Sequence, residues 1–519
     1  MNIYPCTMRS LNPRRLLLPL FLSLLLPFSA LSASAAAAAR PNILFIITDD
    51  QGYGDFSAHG NPILQTPHLD ALRAQSVRFT DFHVSPTCSP TRSALFTGRH
   101  EFKNGVTHTI LERERLTLDA TTLAQVLKTA GYTTGIFGKW HLGDEPAYQP
   151  GARGFDEVFI HGGGGIGQSY PGSCGDVPGN TYFDPVIRHN GTFTKTTGFC
   201  TDVFFSQATR WIEAAKKTDR SFFACIATNA PHSPYTARPE DAALYQGKVG
   251  TGPDAEAVAH FFGMIHNIDE NVGRLLAFLD AQDLARDTLV IYMNDNGTAA
   301  GAKIFNAGMR AQKGTPWLGG TRAASFWRWR GHFTPGDVAA LTAHVDFFPT
   351  LAELAGAALP PATHTQVEGR SLVPLLKNPT APWPDRTLFT HVGRWPKGSD
   401  PALAKFKNCA VRNPRWHLVS ITGGAEPAWQ LFDLAADPGE QRDVSAAHPA
   451  EVSRLAAAYN TWWLSVQPGL VNETAVGPRL NPFAESYWQQ FGGGPTPAQL
   501  ETMDPNRKFP SPKTKTPSR

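Results

Sequence analysis

The chain has 519 residues, 42% of them hydrophobic and 18% charged, which fits a folded globular protein and excludes a disordered or fibrous one. Its 47 Lys and Arg against 44 Asp and Glu leave a formal charge of +3, and no long basic run precedes the C-terminal tail, so nucleic acid is not an expected partner. A chain of this length exceeds one small core, so a large domain and a smaller one are expected.

In chain order, Arg14 and Arg15 come first, followed by the apolar run LLLPLFLSLLLPFSALSASAAAAA. A basic start, an apolar stretch and a small-residue end read as a secretory signal peptide over residues 1–39, cleaved between Ala33 and Ala39. Pro19, Pro27 and the alanine-rich end favour cleavage over a retained anchor. No later segment offers the ~20 continuous apolar residues of a membrane span. A secreted or periplasmic protein without a stable membrane anchor is expected.

PNILFIITDDQGYGD is apolar on both faces and ends in acids, as suits a central parallel strand covered by helices. TTGIFGKWHLG, SFFACIATNAPHSP and DTLVIYMNDNGT repeat the pattern. Helical patterns lie between them, among them TPHLDALRAQSV, TLAQVLKTAG, DVFFSQATRWIEAAKK and HFFGMIHNIDENVGRLLAFLDAQ. The alternation predicts an α/β fold over residues 40–375, with a large, mostly parallel central sheet flanked by helices. Short strands and a closing helix then predict a smaller α+β subdomain with an antiparallel sheet over residues 376–470. Residues 471–519 form an extension whose Pro-, Lys- and Ser-rich tail is expected to be disordered. Gly162 to Gly165 lack the strand and helix context of a dinucleotide site.

Six cysteines are encoded, and Cys6 leaves with the leader. Five cannot all pair. Cys174 and Cys200 flank a Gly- and Asn-rich loop and are the expected disulfide, while Cys225 and Cys409 sit in apolar strands as buried thiols. Cys88, in SPTCSPTRSALFTGRH, stays open as half of a disulfide, a buried thiol or a nucleophile.

Each buried strand ends in polar chemistry. Asp49 and Asp50 follow the first, Lys139 and His141 the second, His232 the third, Asp295 and Asn296 the fourth. Ligands of open α/β sheets bind outside the carboxyl ends of the strands. Clustered carboxylates repel, and a divalent cation resolves that; all-oxygen donors point to Ca²⁺ or Mg²⁺ rather than zinc. Arg92, Lys139, His141, His232 and Lys313 facing the same point suit a sulfuryl or phosphoryl group.

Together these segments resemble the type I sulfatases, the formylglycine-dependent members of the alkaline phosphatase superfamily. The resemblance covers PNILFIITDDQGYGD, CSPTRSALFTGR, GYTTGIFGKWHLG, APHSPY, MNDNG, KGTPWLGGTR and the late LFDLAADPGEQRDV. It implies that Cys88 of the C-x-P-x-R motif, with Pro90 and Arg92, is oxidised by a maturation enzyme to Cα-formylglycine. Thr91 stands where serine is commoner. By the same resemblance Asp49, Asp50, Asp295 and Asn296 hold the cation, usually Ca²⁺, with residue 88 completing its shell. A hydrated aldehyde can attack sulfur with one hydroxyl and expel sulfate with the other. Arg92, Lys139 and Lys313 bind the sulfate oxygens, His232 protonates the leaving alcohol, and His141 takes the proton of the second hydroxyl. Leu318, in WLGG, replaces an acid common in the family, which puts the geometry of the Lys313 loop in question.

The resemblance implies a sulfatase acting on a sulfated small molecule or, by preference, a saccharide. A phosphodiesterase or phosphonate monoester hydrolase on the same scaffold is the alternative within enzymes, and a non-catalytic glycan-binding relative the alternative outside them. Trp317, Trp395 and Tyr170 are candidates to stack on sugar rings.

Overall fold

Alternate residues of the strand Asn42–Thr48 serve two different cores. Ile43, Phe45 and Ile47 pack on one face of the sheet, Leu44 and Ile46 on the other. Phe222–Ala227 and Thr288–Asn294, its two parallel neighbours, divide in the same way. Burial on both faces is why these strands read as continuous apolar runs. Each fully buried large aliphatic or aromatic side chain contributes about 1.5–3 kcal/mol.

The computed structural model describes residues 40–503. The expected leader with Cys6, and the tail beyond residue 503, lie outside the described residues. Among the described residues a ten-stranded sheet runs in the order Gly336–Val338, Val77–Phe79, Ser325–Arg328, Thr288–Asn294, Asn42–Thr48, Phe222–Ala227, Thr133–Lys139, Glu157–His161, Val186–His189 and Thr192–Lys195. The five strands from Thr288–Asn294 to Glu157–His161 are all parallel. Ser325–Arg328 and Val186–His189 run antiparallel to their neighbours. The fold is the expected α/β class. Glu157–His161 and the short outer strands carried too few apolar residues to stand out in the sequence.

The long helix Ala255–Ala281 lays Met264, Ile268, Val272, Leu275 and Leu279 on one face of the sheet, a helical spacing. Cys200–Ala215 joins it with Phe204, Ala208 and Ile212. The opposite face is covered in part by Phe347–Leu354 and Leu123–Thr129. No helix of the described residues is long and apolar enough to cross a membrane.

A separate antiparallel sheet has the order Leu388–His391, Lys407–Arg412, Trp416–Thr422, Trp429–Asp433. The helix Pro449–Val466 closes its core with Leu455, Tyr459, Trp462, Trp463 and Val466. The chain then returns to the large sheet. Asn481 caps the helix Pro482–Phe491 by accepting from Phe483 N and Ala484 N, and Phe483 packs on Phe193.

Candidate active site

Two neighbouring parallel strands, Asn42–Thr48 and Thr288–Asn294, end side by side, so Asp49, Asp50, Asp295 and Asn296 meet. Asp50 takes left-handed backbone with φ 69°; its N–H donates to Asp295 Oδ1 at 3.2 Å, and Asn296 Nδ2 donates to Asp50 Oδ1 at 3.1 Å. The glycine of NDNG is required by close approach: a Cβ on Gly297 would fall 1.9 Å from Gly319 O.

Cys88 opens the ten-residue helix Cys88–Thr97, every residue of which is buried. No side chain caps this helix, and Thr87 Oγ1 and Ser89 Oγ are buried without hydrogen-bond partners. Free N–H groups and the positive end of the helix dipole therefore lie at residue 88. One turn on, Arg92 donates from Nε and Nη2 to Asp295 Oδ2 at 3.1 and 2.9 Å, and from Nη1 to Lys139 O at 3.1 Å.

Lys139 Nζ pairs with Asp49 Oδ2, and Lys313 Nζ with Asp50 Oδ1. The Lys313 loop is tied to both sides of the site, since Lys313 N donates to Thr298 O at 3.1 Å and Gly314 N to Pro86 O at 2.8 Å. His232 Nε2 lies 3.9 Å from Asp50 Oδ2, while its Nδ1 donates to Ser233 O at 2.7 Å. His141 donates from Nε2 to Thr109 O at 2.8 Å, which leaves Nδ1 buried and without a partner.

Electrostatics follow from this crowding. Burial raises the Cys88 thiol, but Lys139, Lys313 and His232 together outweigh burial and the carboxylate of Asp49 and hold it below its ordinary value. Burial first and Asp49 second push Asp295 well above the carboxylate range. Burial also opposes the charge on Asp49, but Lys139 foremost, with His232, Lys313 and Arg92, holds that group below its usual range. Burial, reinforced by Lys139, drives His141 well below the usual imidazole value, so it stands neutral.

The donors fit a hard divalent cation. Asp49 Oδ1 and Asn296 Oδ1 are buried oxygens with no hydrogen-bond partner. Asp49, Cys88 and Asp295 each offer a ligand atom within 4.8 Å of the others, as do Asp49, Asp50 and His232. Nine of the ten residues singled out from the sequence, Asp49, Asp50, Cys88, Arg92, Lys139, His232, Asp295, Asn296 and Lys313, are thus joined through these contacts, and His141 feels the charges of Lys139, Asp49 and Arg92.

The structure corrects other expectations. Cys174 and Cys200 are not joined; both are free, buried thiols. Cys174 Sγ donates to Thr109 O at 3.6 Å, and Cys200 Sγ to Asn229 Oδ1 at 3.3 Å. Asp176 organises the intervening loop instead, accepting from Gly162 N, Gly167 N and Val177 N at 3.1, 2.8 and 2.8 Å. Trp317 and Trp395 are core residues rather than sugar platforms: Trp317 packs on Phe432 beneath Arg310, and Trp395 on Phe102 and Trp463 beneath Arg113. Tyr170 alone of the three is only half-buried.

Two features were invisible in the sequence. The glycine run forms a wall against both histidines: a Cβ on Gly164 would lie 2.7 Å from His141 Cε1, and one on Gly165 3.1 Å from His232 Nδ1. A carboxylate does reach Leu318: Glu440, which follows the strand Trp429–Asp433 of the antiparallel sheet, is fully buried. Its Oε2 accepts from Leu318 N at 3.0 Å at the start of the turn Leu318–Thr321, and its Oε1 lies 2.5 Å from His417 Nδ1. That turn backs onto the loop of Asp295 and Asn296, where Gly297 N donates to Gly320 O at 3.0 Å.

Comparison with known proteins places these features in context. Residues 41–357 match the family model described as Sulfatase, and residues 321–457 match the one described as N-sulphoglucosamine sulphohydrolase, C-terminal. The chain is 34% identical to arylsulfatase A of Bos taurus over 454 residues, covering 79% of this chain and 84% of that protein. It is 31% identical to N-acetylgalactosamine-6-sulfatase of Mus musculus, covering 81% and 85%. Among solved structures it is similar to Ps i-CgsB in complex with k-i-k-neocarrahexaose, with 26% identity, a TM-score of 0.70, and 87% of this chain and 98% of that chain covered.

Proposed function

The chain belongs to the sulfatase family and is a sulfuric ester hydrolase, and from that premise we propose that it is exported and removes sulfate from a saccharide, using formylglycine made from Cys88 and a divalent cation, Ca²⁺ in preference to Mg²⁺. The observation that carries this reading is the pair of orphaned buried oxygens, Asp49 Oδ1 and Asn296 Oδ1, beside Cys88 and ringed by Arg92, Lys139 and Lys313. The saccharide reading draws support from the carbohydrate-bound relative of similar fold, and export from the N-terminal pattern of residues 1–39.

Asp49, Asp50, Asp295 and Asn296 would hold the cation, whose charge would polarise the sulfate oxygens. Formylglycine would supply, once hydrated, two hydroxyls on one carbon, so that sulfate is released rather than kept as a stable ester. Lys139 and Lys313 bind and orient the sulfate oxygens, with Arg92 fixing Asp295 and the strand end at Lys139. With its Nδ1–H committed to Ser233 O, His232 is assigned to deliver to the leaving oxygen the second proton that the ring carries at Nε2 in its imidazolium form. His141 is assigned the opposite transfer: with Nε2–H held by Thr109 O, the neutral ring offers Nδ1 as the base. The wall at Gly162 to Gly165 keeps both rings in place.

The test is sulfate release by protein matured in a host that installs formylglycine. Defined sulfated saccharides, 4-nitrophenyl sulfate and an aryl phosphate diester are compared. Turnover fastest on the sulfated saccharides is expected; faster cleavage of the diester would move the chain to the phosphohydrolase alternative.

A further inference from the structure

The turn after the strand Leu388–His391 leaves the C-terminal sheet and reaches the catalytic rim. Gly393 and Arg394 both take left-handed backbone, φ 67° and 59°. A Cβ on Gly393 would lie 2.0 Å from Thr107 O, so only glycine fits there. Three contacts clamp this turn to the loop at residues 107–113. Arg394 N donates to Thr107 O at 3.0 Å, Arg113 Nη1 to Trp395 O at 2.7 Å, and Lys397 Nζ pairs with Glu112 Oε2 at 2.6 Å. The clamped loop is itself strained, with Leu111 and Glu112 at φ 68° and 64°. Strain held in place by surrounding contacts is a feature of ligand clamps.

What the turn presents is an exposed guanidinium. Arg394 Nη2 donates to Thr109 Oγ1 at 3.0 Å, and no carboxylate among the described residues pairs with it. Thr109 is also the residue whose carbonyl takes the Nε2 proton of His141. One residue therefore touches both the base and Arg394. Tyr170 is tied to the same residue: its N–H donates to Cys174 O at 2.8 Å, and Cys174 Sγ donates to Thr109 O at 3.6 Å. Burial chiefly, then Cys174 and Cys88, raise its phenol, while Arg394 and Lys139 pull it back. His108 adds a neutral donor. Its Nδ1 accepts from Thr109 N and Ile110 N at 2.8 and 3.2 Å, which leaves Nε2 to carry the proton, and burial followed by Arg394 pushes its pKa to about 2.

We propose that Arg394, with Tyr170 beside it, forms a second anion subsite next to the sulfate pocket, taking a carboxylate or a second sulfate on the same saccharide. This rests on the sulfatase reading above. A guanidinium suits either group because its donors meet two oxygens at once. A backbone already clamped loses little further freedom when substrate docks. The preferred substrate is accordingly an acidic sugar bearing the scissile sulfate plus one more negative group.

The test separates binding from turnover. Calorimetry on Cys88→Ala protein, which cannot turn over, compares three saccharides: one with a single sulfate, one with a second sulfate, and one with a single sulfate on a uronate. At least one doubly anionic ligand is expected to bind about ten-fold tighter than the monosulfated one, and which one does so identifies the second group. Adding Arg394→Gln is expected to bring that ratio close to one, while Arg394→Lys keeps part of it. Equal affinity for all three ligands, or a ratio unchanged by Arg394→Gln in protein that melts like the parent, overturns the subsite. Turnover of 4-nitrophenyl sulfate by protein with residue 88 intact is measured alongside; its absence counts against the sulfatase reading and leaves the binding ratio to decide the subsite.

Discussion

Asp49 and Asp346 are both fully buried aspartates, yet they do opposite work. Both oxygens of Asp346 are taken by the protein: Oδ1 accepts from Arg370 N at 2.8 Å, and Oδ2 from Ala343 N and Arg386 Nη1 at 2.9 and 2.6 Å. At Asp49 only Oδ2 is paired, with Lys139, and Oδ1 has no hydrogen-bond partner, although Asp295 crowds the same space. A buried charge that the fold satisfies in full is structural. A buried charge left with an open oxygen, beside a second carboxylate and among cations, suits a ligand.

The largest expected effect breaks the comparison on the functional side. Asp49→Asn is expected to lower sulfate turnover by about a thousand-fold or more, roughly 4 kcal/mol of transition-state stabilisation, with the melting temperature lowered less than in Asp346→Asn, because loss of the Asp49 charge frees Asp295, which it helps to hold above the carboxylate range, to ionise near Lys139. Steady-state kinetics and a thermal melt on the same preparation check this. The structural side should respond in reverse. Asp346→Asn leaves Arg386 buried and uncompensated and is expected to cost about 3 kcal/mol of stability in denaturant titration, with turnover retained at temperatures where the variant stays folded. Calcium should tell the two apart again. Added at about a hundred times its dissociation constant, it stabilises a single-site protein by about 2.7 kcal/mol; the melt of the parent and of Asp346→Asn should rise, and that of Asp49→Asn should not.

A smaller effect sharpens the link between the subdomains. Glu440→Gln weakens the hold on Leu318 N behind the loop of Asp295 and Asn296 and is expected to loosen calcium binding about ten-fold, read by calorimetry. The last expected effect concerns pH. Burial pushes His391 down to about 4, while its Nδ1 accepts from Gly393 N at 2.8 Å and Nε2 donates to Ala404 O at 3.0 Å. The unfolded chain binds a proton near the ordinary imidazole value of 6.5, before the folded chain does. Stability from this group is therefore present above pH 6.5 and lost as pH falls towards 4, at no more than about 1.4 kcal/mol per unit. His391→Gln, which keeps a donor and an acceptor but does not titrate, should flatten the slope of melting temperature against pH in that window.

The central sheet and the rim were legible because both rest on local pattern. Ile43 to Thr48 is an apolar run that can only be a doubly covered strand, and the acids after it must lie at its carboxyl end. Arg92 and Lys313 were legible through motif, since nothing in spacing alone brings residues 221 positions apart together. The disulfide expectation failed because two cysteines flanking a loop say nothing of Asp176, a single carboxylate that gathers three backbone amides. Trp395 looked like a platform, but the aromatic cluster around it, with Phe102 and Trp463, is assembled from distant segments. Glu440 was hidden for the same reason: it lies 122 residues from Leu318, and the empty acid position in WLGG gave no sign of where a substitute would come from.

The most direct test of the central claim is the mass of the peptide containing residue 88, taken from protein that releases sulfate. An aldehyde or its hydrate in place of the thiol is the expected result. An unmodified Cys88 in protein that turns over sulfate esters would contradict the account.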